Sequence, residues 1–92
     1  MTKMTKAMPT TDLGIIEVCA EEAHVWTQRV GREARLLDQA SVQALPAIFA
    51  RLSAAHEEAA DWIGLVSSMH QDPDSVRASA LTCISELWRY GA

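Results

Sequence analysis

Punctuation is scarce in this sequence. Its 92 residues hold four glycines and three prolines, too few for a β-rich chain with many turns. Long apolar runs are missing as well. The longest clean one, from Ala44 to Ala50, has seven residues and contains Pro46, far short of the roughly 20 that span a bilayer. The opening Met1-Thr2-Lys3-Met4-Thr5-Lys6-Ala7-Met8-Pro9 is basic but lacks the apolar core of a signal peptide. Cysteine is limited to Cys19 and Cys83. Two residues make no disulfide framework and no Cys-x-x-Cys metal or redox pair. Both fall on apolar stripes, where a free cysteine behaves as a small hydrophobe. With no export signal, the expected compartment is the reducing cytoplasm.

Positive charge is also in short supply. Lys3 and Lys6 are the only lysines, and from Asp12 onward six arginines meet twelve acids, so a formal charge of −6 on the body underlies the −4 of the whole chain. A nucleic-acid binder needs a basic face that releases counterions. The one candidate patch is Arg29, Arg32 and Arg35. A simpler cause covers it. Asp12, Glu17, Glu21 and Glu22 precede these arginines on one expected helix, and acids first with bases last complements a helix macrodipole. Neither nucleic acid nor membrane is expected as a partner.

What is present is helical periodicity. Hydrophobic residues make up 49% and charged residues 22%, a globular composition for one small domain. Residues 1–11 read as a flexible tail and 12–92 as a single helical domain. Thr10 or Thr11 can cap a first helix, and Leu13, Ile16, Ala20, Ala23, Thr27, Val30, Ala34 and Leu37 then recur at alternating spacings of 3 and 4. Ser41 is a plausible cap for a second helix, and Pro46 is tolerable only near its start. That helix carries Leu45, Ile48, Leu52, Ala55, Ala59, Trp62, Val66 and Met69. Asp72-Pro73 then reads as a cap followed by a first-turn proline, and Val76, Ala80, Cys83, Leu87 and Tyr90 follow. No segment has a strand's period of two. Three helices are predicted, over about 12–39, 42–70 and 73–90.

Short connections make sequential helices antiparallel. The expected fold is therefore an all-α, antiparallel three-helix bundle: a long hairpin with a shorter third helix. Facing residues of the first two helices should have numbers that sum to about 82. Their middle, with Ala23, Thr27, Ala55 and Ala59, should form a narrow waist. The third helix, roughly 27 Å long at 1.5 Å per residue, cannot cover the whole hairpin. This leaves Leu36, Leu37, Val42, Leu45, Ile48 and Phe49 at an uncovered tip. A second stripe, Leu81, Ile84 and Trp88, runs beside the first on the third helix. Contiguous apolar exposure marks a partner site, and a symmetric homodimer forming a larger bundle is the commonest solution. The interaction surface is thus expected at Leu36, Leu37, Val42, Leu45, Phe49, Leu81, Ile84 and Trp88.

Four motifs touch on chemistry. Glu21-Glu22-Ala23-His24 places Glu21 and His24 on one helical face, the Glu-x-x-His spacing of di-iron carboxylate bundles, with Glu57 and Glu58 the only acids suited to complete a site. His56 and His70 share a heptad row with Phe49 and Ile63, but fourteen residues of helix set them about 21 Å apart, too far for one metal. Arg51-Leu52-Ser53-Ala54-Ala55-His56 resembles the Arg-x4-His of helical ribonucleases of the HEPN type. That resemblance implies Arg51 as a phosphate binder and His56 as an acid–base group. It covers two residues and departs at Leu52, where that family usually has a polar residue. Trp62-Ile63-Gly64 is similar to the Trp-x-Gly turn of small secreted helical hairpins, yet it falls mid-helix. Inward positions are otherwise apolar or small. The expectation is a non-catalytic accessory or regulatory protein with no cofactor, acting through protein–protein contacts, most simply as a homodimer. The alternative is a metal-binding bundle built on Glu21 and His24.

Overall fold

The computed structural model describes residues 7–90. Residues 1–6, which hold most of the expected tail, residues 91–92, and the side chain of Tyr90 lie outside the described set. Three helices form: α1 from Asp12 to Leu36, α2 from Leu45 to Gln71 and α3 from Pro73 to Tyr90. α1 packs along α2, and α3 touches both. The chain is an all-α three-helix bundle with no strand among the described residues.

Local chemistry sets the helix ends. Thr11, in extended conformation, accepts the Gly14 amide on Oγ1 at 3.0 Å and so caps α1. Gly14 also lets the chain before α1 fold over its first turn: a Cβ there would stand 3.1 Å from both the Pro9 Cβ and the Thr11 Oγ1. α1 ends at Leu36 rather than near 39, and the Leu37 and Gln39 amides donate back to the Ala34 and Leu36 carbonyls in tighter i→i−3 bonds.

The second helix was expected from residue 42. Instead Val42–Ala44 forms a 3₁₀ turn and α2 starts at Leu45. Pro46 is the cause. It has no N–H to give the Val42 carbonyl, and its ring would collide with that carbonyl in an α-helix begun earlier. Ser41 makes no side-chain cap; its carbonyl accepts the Ala44 amide. Between α2 and α3, the Asp72 carboxylate accepts the Ser75 hydroxyl at 2.7 Å, and Pro73 takes the first position of α3.

The core is built from Ile15, Cys19 and Ala23 of α1, Trp62 and Met69 of α2, and Ala80 and Ile84 of α3. Two expectations need correction here. On α1, Leu13, Ala20, Thr27 and Ala34 are exposed, Leu13 at 66%, and the buried face is turned toward Ile15 and Cys19. Thr27 faces out, its hydroxyl bonded back to the Ala23 carbonyl at 2.7 Å. On α3, Ile84 has no exposed surface, so it belongs to the core and not to an outer stripe. α3 lies in the valley between two helices and is contacted from both sides. Its two apolar stripes therefore merge into one broad buried face. The expected seam of α2 holds: Ile48, Ala55, Ala59, Trp62 and Met69 are buried, and Leu45, Leu52 and Val66 are half-buried. Of the expected waist, Ala23, Ala55 and Ala59 are buried.

Candidate interaction groove

The valley that holds α3 does not end where α3 does. On α1 one row at alternating spacings of 4 and 3 runs Ile15, Cys19, Glu22, Trp26, Arg29, Glu33, Leu36. On α2 the matching row runs Met69, Leu65, Trp62, Glu58, Ala55, Arg51 in the opposite direction. The apolar ends of both rows lie against α3. The 18 residues of α3 span roughly 27 Å, and the 27 of α2 roughly 40 Å. Past the end of α3 the valley continues as an open groove of about 760 Å³. Trp26 marks the junction, packing against the core cluster on one side and lining the groove on the other.

The groove changes character at that point. Arg29, Arg32, Arg35 and Arg51 line it, above a floor that includes Trp26, Leu36, Ala54 and Ala55. The Arg29 guanidinium lies over the Trp26 ring, 4.7 Å from its centroid. Arg51 Nε donates to Glu33 Oε1 at 3.0 Å, joining α1 to α2 across the groove. The numbers of this pair sum to 84, close to the expected antiparallel register. Glu33 is the better covered partner, its side chain 20% exposed against 53% for Arg51. Its second oxygen, Oε2, is out of contact with solvent and meets no donor among the described residues. Arg32 and Arg35 make no ion pair or hydrogen bond among the described residues.

At the opposite end, Arg77 grips Asp12 with two bonds, Nε to Oδ1 at 2.7 Å and Nη2 to Oδ2 at 2.9 Å, and reaches Asp74 at 3.0 Å. This fastens the start of α3 to the first turn of α1. The hydrogen-bonded guanidinium holds the Asp12 carboxyl below its ordinary value, against a smaller opposing effect of burial. Burial, then the nearby Cys83 and Glu22, pushes the Cys19 thiol up to about 11.

The expected interaction residues separate into three groups. Leu36, Val42 and Phe49 are exposed, at 45%, 78% and 53%. Leu37 and Leu45 are half-buried, and Leu81 and Trp88 are half-buried against the core. Ile84 offers no surface. Glu21 and His24 sit exposed on α1, and Glu57 and Glu58 are exposed on α2. Among the described residues no group of three or more His, Cys, Asp and Glu is placed to hold a metal ion. Arg51 and His56 diverge: five residues rotate a helix by about 140°, so Arg51 lines the groove while His56 is exposed beside Phe49 and Ile63 on the outward row. Trp62 and Gly64 lie within α2, Trp62 buried and Gly64 exposed.

Sequence reasoning passed over Trp26, Glu33 and Arg77, and treated the arginines of α1 as a response to the helix dipole alone. The signal was present. The row Ile15–Leu36 alternates 4 and 3 as cleanly as the expected seam, and beyond Trp26 it carries Arg29 and Glu33, with Arg32 and Arg35 beside it. No protein-family model, curated protein sequence or solved structure matches the chain.

Proposed function

We propose that this protein is a non-catalytic helical contact module of the cytoplasm. It acts through the half of the hairpin that α3 leaves bare, and self-association is its first contact. One observation carries this reading: Val42, Phe49 and Leu36 keep large apolar side chains in water around the tip of the hairpin, a position monomeric proteins reserve for partners. Ile63, 53% exposed, extends the apolar row of Phe49 two heptad turns along α2. Among the described residues no helix is long and apolar enough to cross a membrane, and both cysteines are free thiols that suit a reducing compartment.

Light scattering at micromolar concentration tests it. The expected species has twice the 10.1 kDa mass of the chain, and Phe49→Glu should return it to the monomer with its helix content retained. A wild-type chain found only at 10.1 kDa would overturn self-association.

A further inference from the structure

We propose that the arginine-lined groove receives an acidic amphipathic helix from a partner protein. The bed is already helix-shaped, because the same two rows of α1 and α2 hold α3 in their other half. From Trp26 to Leu36 the groove follows α1 for about 15 Å, close to three helical turns. Its floor combines a large ring, Trp26, with Ala54 and Ala55, and small residues let a helix axis come close.

Charge selects among possible occupants. Four of the six arginines in an acidic chain line this one groove. Arg32 and Arg35 make no ion pair among the described residues, which leaves them open to carboxylates of a partner. Carboxylates at i, i+3/i+4 and i+7 on the flanks of a bound helix would meet the arginines, with its apolar stripe on Trp26 and Leu36. A polyphosphate chain fits less well. It needs an extended basic face, and here acids such as Glu57, Glu58 and Asp61 follow within three turns of Arg51 on α2. Those same acids make a second copy of this chain the competing occupant.

This inference rests on the contact-module reading and shares Leu36 with that surface, but Arg32 and Arg35 line only the groove and Phe49 does not line it, so variants at these residues let the two fail separately. The full chain is titrated with a synthetic helix of about four turns. This helix has a Leu/Phe stripe flanked by glutamates. It is run beside a version with every glutamate changed to glutamine, and beside an oligothymidylate. The glutamate peptide should bind with an affinity that falls as salt rises. The double variant Arg32→Ser/Arg35→Ser should weaken it about tenfold or more, and Phe49→Glu should leave it unchanged. Both arginines are exposed, and circular dichroism checks that the double variant keeps its helices. Equal binding of the glutamine peptide, or no binding of either peptide, overturns the proposal. Oligothymidylate held in place of the peptide reassigns the groove to nucleic acid. A change in oligomeric mass on Arg32→Ser/Arg35→Ser reassigns it to a second copy.

Discussion

The two cysteines differ in what surrounds them, and their chemistry should differ with it. Cys19 has no exposed surface, while Cys83 is half-buried on α3. The thiolate is the reactive form, and burial disfavours it at both positions, with the acids Glu86, Asp61 and Glu58 adding to the effect at Cys83. Access then decides the order. In the native protein at mildly alkaline pH, an alkylating reagent should modify Cys83 slowly and leave Cys19 untouched until denaturant is added, as read by peptide mass spectrometry. Equal labelling of both residues without denaturant would show that α3 does not cover Cys19. The sign for stability follows from the raised value in the fold. The neutral thiol is favoured in the native state, so its contribution is whole below the unfolded-state value and lost as pH rises toward about 11.

At the scale of the helix, Gly64 is the clearest departure from local preference. It sits mid-α2, exposed, with nothing within 4 Å of a Cβ built on it. Glycine in a helix interior is less favourable than alanine by about 0.5–1 kcal/mol. Gly64→Ala should therefore raise stability by about that amount, measured by denaturant unfolding; a lowered midpoint would mean that a partner already approaches the backbone there. The same physics separates what was legible in the sequence from what was not. α2 was readable because its seam carries Ile48, Leu52, Trp62, Val66 and Met69, whose size makes the periodicity energetically decisive. The seam expected for α1 alternated Leu13, Ile16, Val30 and Leu37 with Ala20, Ala23, Thr27 and Ala34; Ile16, Val30 and Leu37 are half-buried, and the small members bury little area each. The larger Ile15 and Trp26, with Cys19, turned the helix to another azimuth. α3 was placed correctly in sequence, but its buried arc is wider than one stripe because it meets two helices. The groove was legible only as a basic cluster. Its second wall, Arg51 and Ala55, becomes visible once the antiparallel register is known.

The whole molecule is spread rather than compact. Its radius of gyration is 15.8 Å, against about 12 Å for a compact domain of this length. It exposes 6714 Å², against about 5300 Å² for a compact monomer of its mass. The half of the hairpin that α3 leaves bare adds to that figure. α3 is accordingly the element most dependent on a few contacts: Ala80 and Ile84 in the valley, and Arg77 on Asp12 at its start. Both members of that ion pair are about two-fifths exposed, so its worth is moderated by solvent, but its pH signature is specific. The Asp12 carboxyl is held below its ordinary value by Arg77. Between the two values the unfolded chain binds the proton more readily than the fold does. The stabilisation is then complete above the unfolded-state value and disappears as pH falls through the folded one. Thermal midpoints taken from about pH 6 down to about pH 2 should decline more steeply for the wild type than for Asp12→Asn. The variant should start a few degrees lower at neutral pH and converge with the wild type in acid. Parallel curves would show that Asp12 does not titrate as part of this contact. A converging pair of curves would place the acid-sensitive fastening of α3 at the end of the valley opposite the arginines. On that geometry acid loosens the start of α3, at a distance from the arginine-lined groove.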